Sequence, residues 1–125
     1  MFEIIYIIII IIPVAISIGG FFLKYHMTSD INDTIGYRTE KSMSSKEAWV
    51  FANKSCGKLW LAGGIIAFIV SVSLPLLFYT MNGESVGSYV GIVILILQLI
   101  AVILSIVKVE KQLDRNFDNK KQQGS

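Results

Sequence analysis

Few side chains in this chain can do chemistry, and their scarcity narrows the field. One cysteine, Cys56, and one histidine, His26, occur in 125 residues. A lone cysteine forms no intrachain disulfide, and one His with one Cys cannot supply the usual ligands of a zinc site. Asp30, Asp33 and Glu40 lie near one another and can in principle share a cation, although such spacing alone is a weak signal. No Ser–His–Asp arrangement, phosphate-cradling glycine loop or pair of carboxylates within an apolar stretch is present. Catalysis ordinarily combines a nucleophile or metal with a positioned base, so the reading leans away from an enzyme and expects neither cofactor nor metal. His26 reads as an interfacial residue rather than a base. What remains is Arg38, whose planar fork of donors fits a phosphate or a carboxylate bidentately.

The elements that must position these residues are dominated by lipid. Hydrophobic residues make up 54% of the chain, and they fall into three blocks separated by polar sequence, the pattern of membrane spans. The first runs from Phe2 to Leu23, about 33 Å of helix, enough for a hydrocarbon core of about 30 Å. Its isoleucine run, Ile7 to Ile12, would suggest a strand in water. In lipid an isolated segment satisfies its own backbone only as a helix. Pro13 sits mid-span and predicts a kink. The block lacks a basic start and an A-x-A-like cleavage site, so it is expected to be retained rather than removed as a signal peptide. The second block spans about Leu59 to Tyr79 and the third about Val86 to Val107. The link Thr80–Ser85 carries an Asn82-Gly83 turn signal, which makes these helices antiparallel neighbours.

All eleven Lys and Arg lie between Lys24 and Lys58 or from Lys108 onward. Cytoplasmic flanks collect such residues, so both segments are expected in the cytoplasm and Met1 outside. The net charge of +2 is too small for bulk attraction to nucleic acid, and no direct contact with it is expected. Within the middle segment, Ser44 with Glu47 reads as a capping box. Trp49, Ala52 and Cys56 then share one face and Glu47, Lys54 and Lys58 another. This predicts a short amphipathic cytoplasmic helix at the membrane surface, either ending near Gly57 or running straight into the second span. Trp49 and Trp60 read as interfacial anchors. Residues Asn119 to Ser125 read as disordered, with Gly124-Ser125 resembling an appended remnant.

The fold expectation is therefore all-α: a first transmembrane helix over 1–23, a cytoplasmic loop with the amphipathic helix over 24–58, a transmembrane hairpin over 59–107 and a basic tail over 108–125. Small and polar residues recur at helical spacing within the spans: Glu3, Tyr6, Pro13, Ser17 and Gly20; then Gly63, Ala67 and Ser71; then Gly87, Gly91, Gln98 and Ser105. These stripes are packing seams where backbones approach closely, or else Ser17, Gln98 and Ser105 line a polar pocket. Glu3 and Glu84, the acids of the outer side, are solvated helix ends or aids to binding a cationic peptide.

The most informative stretch is Asn32-Asp33-Thr34-Ile35-Gly36-Tyr37-Arg38-Thr39, followed by Ser42, Trp49, Ala52-Asn53 and Gly57. Gly36 permits a turn with positive φ. Tyr37 suits a membrane interface. Asn32, Thr39, Ser42 and Asn53 can satisfy loop backbone groups. Arg38 is either a structural loop arginine, paired with a helix C-terminus or with lipid headgroups, or a direct ligand contact.

This pattern resembles the signature of the SdpI family, in which an Asn precedes a Gly-Tyr-Arg-Thr element and a Trp-x-x-Ala-Asn helix follows. The likeness covers roughly residues 28–107. The family's namesake is the immunity protein of a sporulation-delaying toxin system. It protects the producing cell from its own membrane-active peptide and holds a transcriptional repressor at the membrane when toxin is present. The namesake has additional N-terminal spans, and the family often has proline where this chain has Ser29-Asp30-Ile31. The resemblance implies immunity to, or sensing of, a peptide toxin, with Asn32, Gly36, Tyr37, Arg38, Thr39, Ser42, Trp49 and Asn53 as binding residues. It also implies a toxin and a cytoplasmic repressor as partners besides membrane lipids. Two rival readings stay open. One is a structural subunit packing on a larger membrane partner or on a second copy of itself. The other is a lipid-headgroup-binding protein or enzyme.

Overall fold

The computed structural model describes residues 1–118, so the expected disordered tail 119–125 and Gly124-Ser125 lie outside the described residues. Three helices carry the fold: α1 (Phe2–Tyr25), α2 (Lys46–Asn82) and α3 (Glu84–Leu113), the last followed by a π-helical turn, Asp114–Asp118. There is no strand among the described residues. At 1.5 Å per residue, α1 is about 36 Å long, α2 about 55 Å and α3 about 45 Å, so all three exceed a hydrocarbon core of about 30 Å. Each is apolar enough to cross a membrane. Their outward faces are built of residues such as Ile11, Ile69 and Ile103, all exposed in the isolated chain and suited to lipid contact.

Of the two courses left open after Gly57 the chain takes the second, and the link before the third span is shorter than expected. The amphipathic segment and the second span are one helix, because nothing after Gly57 stops it. Its Trp49–Ala52–Cys56 face is fully buried against the rest of the protein rather than laid on the membrane surface. Ser45, not Ser44, caps it, accepting from the Ala48 N–H at 3.0 Å, while Ser44 Oγ bonds the Lys41 carbonyl. The six-residue link between the second and third spans shrinks to Gly83. Its φ of +92° reverses the chain in one residue, a conformation that costs a side chain dearly.

The helices approach through small residues, as close contact in lipid requires. A Cβ on Gly20 would stand 2.5 Å from the Leu61 nitrogen, and one on Gly91 2.6 Å from Ile5 Cγ2. On α2 the seam is Gly57, Gly64 and Ser71, all buried, with Gly64 against Ser17. The expected Gly63–Ala67 stripe is offset by one position, and Gly63 has nothing near it that a Cβ would meet.

Both intramembrane prolines meet polar side chains of another helix. Pro13 has no N–H to give the Ile9 carbonyl four residues earlier, yet α1 runs unbroken through it. Gln98 Nε2 of α3 donates to that carbonyl at 2.9 Å and also lies 2.8 Å from Ser71 Oγ of α2. Near Pro75, the Tyr6 hydroxyl of α1 donates to the Val72 carbonyl at 2.7 Å.

Gly57 gives a direct test of the α1–α2 contact. An added Cβ there would lie 2.5 Å from the Lys24 nitrogen and 2.7 Å from the Gly20 carbonyl oxygen. Gly57→Ala should lower unfolding free energy by about 1–3 kcal/mol, the cost of overpacking a tight contact. Gly63→Ala should be neutral or gain up to about 1 kcal/mol from helix propensity. Denaturation of both variants in one detergent, followed by helical circular dichroism, checks this. Equal losses would contradict the packing.

Candidate functional site at the loop end of the bundle

The segment between α1 and α2 is irregular but closely bonded, and nearly all its contacts come from the motif residues. Asn32 Oδ1 accepts from the Thr34 and Ile35 N–H groups at 3.0 and 2.8 Å, an Asx turn that begins the bend. Gly36 follows with φ +115°, and a Cβ there would sit 2.8 Å from Asn53 Oδ1 and 3.1 Å from the Trp49 ring. Only glycine meets both demands. This brings the Tyr37 N–H to Asn53 Oδ1 at 2.7 Å, while Asn53 Nδ2 donates to the Trp49 carbonyl at 2.9 Å. Asn53 is fully buried on α2, so the loop is latched onto that helix by an amide with both ends in use.

Ser42 closes the next turn. Its hydroxyl accepts from the Thr39 N–H at 2.8 Å and lies 2.9 Å from the Tyr37 and Thr39 carbonyls. Thr39 Oγ1 returns the bond to the Ser42 N–H at 3.2 Å. Trp49, fully buried rather than interfacial, donates its indole N–H to the Thr28 carbonyl at 3.0 Å. Tyr37 then reaches α3, with its hydroxyl 3.1 Å from Glu110 Oε1 and 3.4 Å from the Ile106 carbonyl. Burial, with the Glu110 carboxylate beside it, raises the Tyr37 phenol above its ordinary pKa of 10.0. Lys41 pairs with Asp114 at the far end of α3.

The structure thus gathers Asn32, Gly36, Tyr37, Thr39, Ser42, Trp49 and Asn53 into one unit. Arg38 departs from the rest. Its Nε donates to the Asn32 carbonyl at 3.0 Å, but the residue is exposed and makes no salt bridge among the described residues. It stands at the edge of an open groove of about 620 Å³.

The three intramembrane polar residues are only partly brought together. Gln98 and Ser105 both border an almost wholly apolar cavity of about 90 Å³, which Trp60 and Gly64 also line. Ser105 Oγ accepts from the Trp60 indole N–H at 2.9 Å and donates to the Val102 carbonyl at 2.7 Å. Ser17 does not border that cavity and packs against Gly64 instead. Glu3 and Glu84 are exposed and face the Met1 amino group at 3.6 and 3.7 Å. Asp30 lies 3.7 Å from Lys46, and no three metal-ligating side chains converge among the described residues.

Sequence reasoning missed Glu110, the donor role of Tyr6 and the Lys41–Asp114 pair. A carboxylate at the end of an apolar span, facing a buried phenol, carries no spacing signal because the partners are 73 positions apart. Tyr6 had a usable one, since a mid-span proline opens carbonyls that call for a donor from another helix.

Three spanning helices with an ordered polar cap at one end define a multi-pass membrane protein whose loop is part of the folded core. The chain belongs to the SdpI/YfhL protein family, whose model matches residues 28–109, the whole of the loop motif included. It is also 31% identical over 96 residues to the uncharacterized protein YfhL of Bacillus subtilis (strain 168), covering 77% of this chain and 76% of that relative. No solved structure matches it.

Two outcomes test the latch. Asn53→Ala leaves the Tyr37 N–H buried without an acceptor and should cost about 1–3 kcal/mol. Limited proteolysis should then cut within 28–45 faster than in the parent while helix content holds; an unchanged rate would count against Asn53 as the anchor. For Tyr37, folded and unfolded chains both keep the phenol proton below pH 10. Above it the unfolded chain releases the proton and the folded one retains it, so stability falls as pH rises further. Tyr37→Phe should flatten this alkaline fall in melting scans taken between pH 9 and 11. A slope as steep as the parent's would contradict it.

Proposed function

We propose that this chain is an SdpI-like sensing and immunity protein that meets a membrane-active peptide within the bilayer and reports the encounter through its loop. The orientation in this reading has the loop in the cytoplasm and Met1 outside, supported by the confinement of every Lys and Arg to residues 24–58 and the segment from Lys108 onward. The observation that carries the reading is the loop's attachment to all three helices. Trp49 bonds the Thr28 carbonyl just beyond α1, Asn53 holds Tyr37 to α2, and Tyr37 reaches Glu110 on α3. A peptide that wedges between spans shifts these anchor points relative to one another. The loop registers the shift, because a close-packed bonded unit changes arrangement rather than stretching. A repressor that recognises the loop in one arrangement would then be captured or released.

Deleting the gene and challenging cells with the peptide of a neighbouring toxin system tests this. The mutant should become more sensitive, and the wild-type gene should restore resistance while Asn53→Ala restores it poorly. Unchanged sensitivity in the deletion would overturn the immunity reading.

A further inference from the structure

The groove beside Arg38 has a construction that the sensing role does not use. Ile18 and Phe22 of α1 form one wall and Ile106 of α3 another. Trp60 and Cys56 of α2 form the floor, and residues 35–39 cover one end. Toward the other end of the bundle α1 and α3 meet directly, at Ile5 with Gly91 and Ile9 with Gln98. The groove opens between Ile18 and Phe22 of α1 and Ile106 of α3, residues of two spanning helices. Its lining is almost wholly apolar, at about 620 Å³. The exception is Arg38, held at the rim by its Nε bond to the Asn32 carbonyl, with its terminal nitrogens turned to no carboxylate among the described residues.

We propose that this groove binds one anionic phospholipid, with an acyl chain between α1 and α3 and the phosphate gripped by Arg38. Apolar walls alone do not select a ligand from a bilayer, since lipid tails are as apolar as the groove. Selection comes from the guanidinium, whose fixed fork donates to two phosphate oxygens at once. Free phosphate would engage the fork but leave the groove empty. A zwitterionic lipid carries its ammonium on the same headgroup as the phosphate and would bring that cation beside the Arg38 guanidinium. An anionic lipid satisfies both halves of the site, and its headgroup level coincides with the end of α1, where the chain leaves the apolar span. The inference is independent of peptide sensing and stands if that reading fails.

Native mass spectrometry of the full chain released from mild detergent, titrated with phosphatidylglycerol or with phosphatidylcholine of the same chains, tests it. One phosphatidylglycerol should be retained about five- to tenfold more strongly than phosphatidylcholine. Arg38→Gln should abolish that preference, Arg38→Lys should keep part of it, and Lys54→Gln, outside the groove, should leave it intact. Ile18→Trp, which fills the groove and spares Arg38, should weaken retention as well. Inorganic phosphate should not displace the lipid. Undiminished phosphatidylglycerol retention by Arg38→Gln, retention unchanged by Ile18→Trp, equal binding of the two lipids or displacement by phosphate would each overturn the assignment.

Discussion

A carbonyl without a partner in hydrocarbon costs several kcal/mol, because no water reaches it. Pro13 creates such a carbonyl at Ile9, and the answer comes from another helix. Gln98 supplies the donor, and the same amide nitrogen lies against Ser71, so a single side chain of α3 touches α1 and α2 at one depth. This fixes more than a hydrogen bond. Turning α3 by one residue about its axis would carry Gln98 away from Ile9 and leave both the carbonyl and the amide unsatisfied in lipid. The arrangement has a residual cost, since Gln98 Oε1 is buried without a partner among the described residues. On α2 the Tyr6 hydroxyl of α1 bonds the Val72 carbonyl near Pro75, a second polar contact that keys the rotation of α1 against α2.

Rotation set in the apolar region then decides what the loop end can be. With Gly64 against Ser17 and Gly57 against Gly20 and Lys24, α2 presents Asn53 one turn beyond Gly57, at the place where the chain leaving α1 must pass. The helix has no reason to stop there, because its inward face stays covered: first by α1, then by the loop, and by Val109 and Leu113 of α3. The amphipathic pattern of Trp49, Ala52 and Cys56 is thus the imprint of protein packing, although in sequence it has the same form as the imprint of a membrane surface. Periodicity reports that a face is buried and is silent on what buries it.

That ambiguity explains what was legible and what was not. The three spans, the turn at Gly83 and the charge asymmetry are properties of long segments, and averaging over many residues makes them robust. The motif positions were also legible, because Gly36, Asn53 and Ser42 are residue types chosen for backbone geometry and hydrogen bonding. Two of the errors are of register. Gly64 rather than Gly63 carries the helix contact, and Ser45 rather than Ser44 carries the cap. Adjacent positions of one residue type differ only in direction around the helix, about 100°, which only the partner helix settles. Glu110 was invisible for a related reason: its meaning depends on Tyr37, which meets it only after all three helices have packed.

The position of Arg38 follows from its neighbours rather than from any contact of its own. Tyr37 is held at both ends, its N–H by Asn53 and its hydroxyl near Glu110, so its side chain must point inward. Thr39 is tied by two hydrogen bonds to Ser42, three residues further along. Successive side chains along an open backbone point to opposite sides, and Arg38, between two anchored residues, is turned outward. A structural arginine would be expected to use its fork on the protein, as buried or capping arginines do. Here one bond, from Nε to the Asn32 carbonyl, orients the group and leaves its outer edge free. Holding a long cation in a fixed direction removes rotamer freedom that binding would otherwise have to remove. The tight bonding of the seven other motif residues therefore has a single outward product: a pre-aimed guanidinium at the mouth of an apolar groove. A role for the motif confined to folding would account for the latch but not for that orientation.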